Sequence, residues 1–400
     1  MRIAWLATQS TEDPSGLGRF LPIAQQTVRL GHTVSLIALH PSYSLLHPSE
    51  RRFMSAGVDV IYVGRSYFIK AGSKKTYFSP SRLVSVSLLG AIAMAKAVRW
   101  FKPDIIHLGK PHPINGLALA FLGFPRYYVD CDDYETYSNR FGGDWQRWLV
   151  RYFENAIPKR ANLITTNTTY TRDRLKTLGC CEPYLIPNAI DRERFIHAVQ
   201  LSKNAARDQL GLNAVPTIVY LGTLSLVNHP VDLLLRAFQQ IISKLPNAIL
   251  AIVGSGEDAG KLAQMGERFG INNHIRFVGR VSPNIVPIWL RAADVTVDPV
   301  YDDPVARARS PLKVLESLVM HTPCVTGDVG DRKFILQPEQ LVEPGNSRAL
   351  AQGILSTLHN PPTHWVLDVM QAPRTFPGIN KFVRFWDEVR SDLDYIYSRN

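Results

Sequence analysis

Short apolar runs alternate with longer stretches in which apolar residues recur every three or four positions, almost from one end of the chain to the other. Residues 2–8 (RIAWLAT) form the first run, 20–30 carry a helical spacing closed by Gly31, and 33–39 are apolar again. The beat continues with strands predicted at 58–63, 104–108, 127–129 and 163–167, and helices at 83–101, 145–161 and 169–179. The second half repeats it: strands at 217–221, 248–253, 275–278, 295–297 and 322–326, with helices at 231–245, up to 269, at 285–293, after Ser310 and at 349–359. Apolar runs without alternation are strands covered on both faces, and the helices between them are the crossovers a parallel sheet requires. The fold expected is α/β, with two doubly wound, Rossmann-like domains at 1–195 and 196–375. A chain break at Phe376-Pro377-Gly378 precedes a closing helix expected over 380–397, so that 376–400 forms a third segment.

In such sheets ligands bind at the carboxyl ends of the strands. The first half has three loops there: Gln9–Gly18, with Gly16 and Gly18; Gly109–Gly116, with His112; and Asp130–Glu135, with Asp132 and Asp133. Glycines in the first loop let backbone N–H groups approach a phosphate or a sugar. In the second half Gly222 follows one strand, Gly254 and Gly256 follow the next, and Val281 follows a third. The fullest pattern is Ser310–Asp331 (SPLKVLESLVMHTPCVTGDVGD). Ser310 suits a helix cap and Pro311 the first helical position. The N–H groups from Ser310 to Leu312 and the helix dipole then favour phosphate, and Lys313 adds a charge. Glu316 lies one turn on, suited to a ribose diol. The plainer account of the same residues is a surface helix with an i,i+3 salt bridge between Lys313 and Glu316.

From Ser310 onward the chain resembles the retaining, nucleotide-sugar-dependent glycosyltransferases of family 4, which have the GT-B fold. Glu316 matches the second acid of their E-x7-E signature, and Thr322-Pro323-Cys324-Val325 matches the strand entry after it. Tyr184–Asp191 (YLIPNAID) resembles their I-P-N-G-V-D passage between domains, with Ala189 in place of Gly. The resemblance implies two domains facing a cleft and a last helix that crosses back to the first domain. It also implies a donor nucleoside diphosphate sugar on the second domain, with Gly222, Gly254, Gly256, Val281, Arg309, Ser310, Pro311, Leu312, Lys313 and Glu316 as its contacts. Gly16 and Gly18 would lie against the diphosphate and acceptor, and Asp132 and Asp133, with Lys313, would serve catalysis. The chain departs from the family at four further places. Ala308 stands for the first acid, Thr223 and Asn228 for the Arg and Lys that grip the donor phosphates, and Asp132-Asp133 for His-Asp. Arg307 and Arg309 are the residues placed to replace the missing phosphate charge, and His112 is the substitute candidate for the missing histidine.

Composition narrows the setting. Hydrophobic residues make up 46% and charged residues 20%, as in a globular chain with a large core. Four cysteines, with no C-x-x-C pair, give neither a disulfide framework nor a zinc motif, and a reducing cytoplasm is the expected compartment. Residues 1–7 are too short an apolar run for a signal peptide, and 83–95 falls short of the roughly 20 apolar residues of a span, so it reads as a buried or interfacial helix. The net charge of +11 is concentrated between 50 and 110, with eleven Lys/Arg against three acids. Residues 66–81 mix Lys70, Lys74 and Lys75 with Tyr67, Phe68, Tyr77 and Phe78, a composition suited to the inner face of an anionic membrane. The plainer account of that charge is a solvated basic face.

The activity expected is transfer of a sugar from a nucleoside diphosphate sugar to a glycan or lipid-linked acceptor with retention, as in polysaccharide biosynthesis. No cofactor, no catalytic metal and no nucleic-acid partner are expected, although the clustered acids at 130–135 are chemically suited to a divalent ion. The alternatives are a GT-B-like protein that binds a sugar or a partner without transfer, and another GT-B enzyme such as an epimerase or phosphorylase.

Overall fold

The computed structural model describes residues 1–71, 74–362 and 381–398, and for 70, 71 and 74–77 the backbone only. The chain forms two compact units, Met1–Asn188 with Trp386–Asn400, and Ala189–Phe385. The division therefore falls at Asn188 rather than at 195, and the short helix Arg192–Phe195 belongs to the second unit.

The first unit is built on β1 (Arg2–Ala7), β2 (Thr33–His40), β3 (Arg52–Ser55) and β4 (Val58–Arg65), a separate hairpin of β5 (Phe68–Ala71) and β6 (Lys74–Tyr77), then β7 (Ile105–Leu108), β8 (Tyr127–Cys131), β9 (Leu163–Thr166) and β10 (Tyr184–Leu185). Its main sheet runs β10-β9-β8-β7-β1-β2-β4-β3, parallel except for β3 against β4. The second unit holds β11 (Thr217–Leu221), β12 (Ile249–Val253), β13 (Ile275–Gly279), β14 (Val295–Asp298), β15 (Cys324–Gly327) and β16 (Leu341–Val342) in the order β13-β12-β11-β14-β15-β16, all parallel. In both sheets the order reverses beside the first strand, β1 or β11, which is the doubly wound arrangement that opens a crevice at the carboxyl ends.

The central strands are buried on both faces because each lies between helices. Ile218, Tyr220, Leu250 and Ile252 pack with Val231, Leu234, Phe238 and Ile241 of the helix Val231–Ile242, while Val219, Ala251 and Val253 pack with Trp289 on the other face. The 83–95 window belongs to a longer helix, Pro80–Phe101. By length and composition alone this helix could cross a membrane. Here it serves as the β4-to-β7 crossover, with Gly90, Ala91, Met94, Ala95, Val98 and Phe101 turned inward. Its outward face exposes Val84, Leu88 and Leu89.

The closing helix is shorter than the periodicity predicts. A tight turn, Trp386–Val389, leads into the helix Arg390–Ser398, whereas 381–383 turn and bend and Phe385 bridges Ile190, whose N–H donates to the carbonyl of Arg384 (3.0 Å). Phe382 and Phe385 are buried in the second unit, Phe382 stacked on Phe334. Phe382 and Phe385 are three residues apart, a spacing that reads as helical although turns bury both rings, so periodicity misplaces this boundary. The break at 376–378 lies outside the described residues. The final helix is part of the first unit: the Tyr397 hydroxyl lies 2.8 Å from His107 Nδ1, and the His107 ring stacks on Trp5. Burial pushes the His107 imidazole down to about 3, so it remains neutral.

One ion pair ties the site loops of the first unit together. Arg19, at the end of the glycine loop, donates through Nε (2.6 Å) and Nη2 (2.7 Å) to Asp130, at the end of β8. Its Nη1 reaches the carbonyl of Ile186 (2.8 Å) and Asn188 Oδ1 (3.1 Å), and Thr165 Oγ1 donates to Asp130. Both ionic side chains are at most 1% exposed. Removing one partner of such a pair leaves a buried charge and costs about 3–5 kcal/mol. Urea unfolding of Arg19→Met should therefore show a loss of that order, with a smaller loss for the double variant Arg19→Met/Asp130→Leu, which leaves no charge behind.

Candidate active site

In the second unit the strand run Val295–Asp298 ends in a carboxylate with no access to solvent worth the name, at 3%. Arg332 clasps Asp298 Oδ2 through Nε (3.0 Å) and Nη2 (2.8 Å), and its Nη1 donates to the carbonyls of Ala306 and Val329. Lys313 Nζ stands 3.1 Å from Asp298 Oδ1 and 4.6 Å from the centre of the Tyr220 ring. Burial alone would raise the Asp298 carboxyl, but Lys313 and Arg332 outweigh it and hold the group well below the usual carboxylate range. Burial likewise opposes the charge on Lys313, and Tyr220 and Asp298 more than restore it.

A third cation borders this pair. Arg309 donates through Nη1 to the carbonyl of Asn228 (2.6 Å) and lies 3.4 Å from His229 Nδ1, close enough to Lys313 to oppose its charging. His229 is held neutral, well below its ordinary value, by burial and by Lys313 and Arg309. Lys313 and Arg332 share Asp298, so the carboxylate in contact with these groups leaves the cluster with surplus positive charge.

Lys313 lies in the first turn of the helix Leu312–Val319. The cap position is Pro311, not Ser310, and no side chain caps it. Val314 N–H bonds the Pro311 carbonyl (3.1 Å), and the helix start carries the partial positive charge that favours anions. The i,i+3 salt bridge does not form. Glu316 instead accepts from Arg194 Nη1 (2.9 Å), and Arg194 Nε donates to the carbonyl of Pro283 (3.0 Å).

The glycines of this unit answer to their neighbours. A Cβ on Gly222 (φ +154°) would stand 2.9 Å from Lys313 Nζ, so this glycine makes room for the lysine. A Cβ on Gly254 (φ +145°) would stand 1.8 Å from the Gly222 carbonyl oxygen, and one on Gly256 2.2 Å from that of Leu224. These loops are stitched by Gly222 N–H to Val253, Leu224 N–H to Ser255 and Gly254 N–H to Gly279. Val281 is half-buried beside Trp289.

In the first unit Lys110 reaches three carboxylates: Glu135 (2.5 Å), Asp133 (2.9 Å) and Asp132 (3.2 Å). The three acids place one oxygen each within 4.8 Å of one another, spacing that suits a metal ion, and the ammonium group occupies that position. Burial, reinforced by Asp133, Asp130 and Glu135 and opposed by Lys110, pushes the Asp132 carboxyl up to about 7. His112, far from being a free loop histidine, is buried: its Nδ1 accepts from Ile114 N–H at the start of the helix Pro113–Phe121, and its ring stacks on Tyr67. Burial lowers it to about 4. Gly16 is buried with the position of its missing Cβ 2.1 Å from the Ser10 carbonyl oxygen, and Gly18 is half-buried in the same turn.

Residues 20–194 match the model of Glycosyltransferase Family 4, and residues 215–360 match that of Glycosyl transferases group 1. The chain belongs to glycosyltransferase family 4. A phosphatidyl-myo-inositol mannosyltransferase of Mycobacterium tuberculosis is 23% identical to it over 99% of this chain and 96% of that one. D-inositol 3-phosphate glycosyltransferase 2 of Catenulispora acidiphila is 26% identical over 62% of this chain, and the match spans 58% of that protein, less than two thirds of its length. Among solved structures, the sucrose-phosphate synthase of Thermosynechococcus elongatus superposes with a TM-score of 0.74 at 17% identity, over 100% of this chain and 98% of that one. Anabaena HepE, solved in complex with UDP, gives 0.67 at 17% identity over 100% of both chains. These neighbours establish the GT-B fold for this glycosyltransferase.

The expected site residues of this glycosyltransferase fall into two groups. Gly222 and Lys313 meet beside Asp298, with Arg309 bordering them, and Asp132 and Asp133 meet on Lys110 in the first unit. Arg307 turns away into a two-bond pair with Asp302, so it does not join Arg309. Asp298, Arg332, Arg194, Arg19 and Lys110 were not singled out by motif. The one signal for Asp298 and Asp130 is an acid closing a buried strand, VTVD and YYVD.

The raised Asp132 carboxyl has a thermodynamic consequence. A group whose folded pKa exceeds its unfolded value stabilises the fold at low pH, and that contribution is lost as pH rises through the folded value, here between about 4 and 7. Asn at this position has no such dependence. The melting temperature of Asp132→Asn relative to the parent should therefore be higher at pH 8 than at pH 5.

Proposed function

We propose that this glycosyltransferase moves a sugar from a nucleoside diphosphate sugar to a glycan or lipid-linked acceptor, with retention at the anomeric carbon. The observation that carries the donor half is the surplus of cations around Asp298, with Lys313 and Arg309 beside the uncapped start of the Leu312–Val319 helix. Partly buried positive charge at a helix N-terminus is complementary to a diphosphate and stabilises it most as it leaves with developing charge. Arg309 contacts the backbone of Asn228, where the family carries its lysine, so it is placed to supply the missing charge. Anabaena HepE was solved with UDP and with UDP-glucose, and a Corynebacterium glutamicum relative is named as GDP-mannose-dependent, which supports a nucleotide sugar without fixing the base.

Glu316 takes the ribose, with Arg194 holding its carboxylate. The acceptor half is assigned to the loops after β1, β7 and β8, with Asp132 and Asp133 toward the sugar. Lys110 supplies the cation among these acids, and the reading is of catalysis without a metal. The lipid in the names of the mannosyltransferase relatives supports a lipid-linked acceptor and work at the cytoplasmic face of a membrane, in assembly of a cell-surface glycan.

Release of nucleoside diphosphate from a panel of UDP-, GDP- and ADP-sugars tests the reading, and no release with any donor would favour a sugar-binding protein without transfer. By calorimetry Arg309→Ala should weaken binding of the preferred nucleoside diphosphate about tenfold, the size of one charged hydrogen bond. Glu316→Gln should instead narrow the gap in affinity between that nucleotide and its 2′,3′-dideoxy analogue, leaving pyrophosphate binding unchanged.

A further inference from the structure

In the basic and aromatic stretch 66–81, the described aromatic side chains are Tyr67, Phe68 and Phe78. Phe68 and Phe78 are buried, and Tyr67 packs on Phe68 and His112. The side chains of Lys70, Lys74, Lys75 and Tyr77 lie outside the described residues. A different element of the first unit presents aromatic rings to solvent. On the helix Asp144–Arg160, Trp145, Trp148 and Tyr152 are 45%, 65% and 54% exposed.

These three follow the i, i+3, i+7 spacing, and at 100° per residue they fall within an arc of about 60°. Trp148 and Tyr152 stack with their planes 19° apart. Arg147 and Arg151, both exposed, flank the strip on one side, and Lys159 and Arg160 follow at its C-terminal end. Asp144 is the exposed acid of this helix, since Glu154 is buried and accepts from the N–H groups of Glu135 and Thr136. The inward face is fixed elsewhere: Val150, Ile157 and Pro158 are buried, and a Cβ on Gly116 would stand 2.3 Å from the ring of Phe153. The strip is therefore not a core surface awaiting the rest of the unit.

Exposed large apolar side chains are ordinary when scattered, but a contiguous strip marks a contact surface. Trp and Tyr beside Arg is the composition of the water–lipid boundary, where amphipathic rings lodge among headgroups and guanidinium groups meet lipid phosphate. We infer that the Asp144–Arg160 helix is the element through which this protein lies on an anionic bilayer, Trp145, Trp148 and Tyr152 entering the interface and Arg147 and Arg151 pairing with lipid phosphate. The helix Pro80–Phe101 packs on Pro113–Phe121, which packs in turn on Asp144–Arg160, so all three belong to one layer. The first helix of that layer exposes Val84, Leu88 and Leu89. This deepens the membrane-side reading of the acceptor and is independent of the donor site.

Flotation of the full chain with vesicles tests it, using phosphatidylcholine alone and phosphatidylcholine with phosphatidylglycerol. The parent should float with the anionic vesicles, less so as salt is raised. Trp145→Ala/Trp148→Ala/Tyr152→Ala should lower the partition about tenfold or more, and Arg147→Gln/Arg151→Gln should remove most of the preference for phosphatidylglycerol. All five side chains are exposed, so the melting temperature and nucleotide binding of both variants should match the parent. Lipid brominated on its acyl chains should quench the parent's tryptophan fluorescence and quench Trp145→Phe/Trp148→Phe far less. Absence of flotation by the parent overturns the inference. Unchanged flotation of the triple variant also overturns it, and moves the contact to Val84, Leu88 and Leu89. Fluorescence shifted by soluble manno- or malto-oligosaccharides, without vesicle binding, would instead make the strip a glycan platform. Failure of the donor screen with flotation intact would sink the catalytic reading alone.

Discussion

A carboxylate buried at the carboxyl end of one strand organises each unit. Asp130 closes β8 and Asp298 closes β14, and neither carries its charge into the interior alone. Each is clasped through two nitrogens by an arginine brought in by a distant loop, Arg19 in one case and Arg332 in the other. Burying an ion is costly enough that it persists only when paired and hydrogen-bonded. The acid therefore dictates where those loops must lie. In the first unit the glycine loop, the end of β8 and residues 186–188 converge on one guanidinium group. In the second, the 306 and 329 carbonyls and Lys313 converge on one carboxylate.

This arrangement separates holding from acting. Arg332 is fully buried and spends its donors on Asp298 and two carbonyls, which leaves it no role toward a ligand. Lys313, 13% exposed, also touches Asp298, and Arg309 touches the Asn228 carbonyl, so each has fewer bonds within the cluster than Arg332. The glycines follow the same division. Gly254 and Gly256 are required because the loops after β11 and β12 cross at backbone distance, and Gly222 because Lys313 needs the space. These glycine-rich loops thus owe their composition first to packing among the loops themselves.

The departures from the family pattern also acquire a physical sense. Where Thr223 and Asn228 stand for cations, Arg309 enters from the other side of the site and bonds the Asn228 backbone. Where Asp132-Asp133 stands for a His-Asp pair, Lys110 neutralises part of an acid cluster that would otherwise repel itself. One carboxyl of that cluster still sits near neutrality in its titration, since one ammonium group does not balance three carboxylates.

The sequence by itself determined the fold class and the family. Buried parallel strands must be apolar throughout, and the loops after them must bend sharply, so both leave local marks that periodicity and glycine positions expose. It also marked the helix start after Ser310, because the residue types that open a helix are a local signal. What it could not reveal was pairing across long separations. Arg19 with Asp130, Lys110 with Asp132, Arg194 with Glu316 and Arg309 with Asn228 are contacts between distant loops, and no periodicity encodes which loop a side chain will meet. The same limit placed Glu316 with Lys313, a pairing that helical spacing allows and tertiary packing refused. Composition likewise does not tell that Phe68 and Phe78 are buried while Trp145, Trp148 and Tyr152 are exposed. Composition counts residues, whereas only the folded chain decides which of them water can reach.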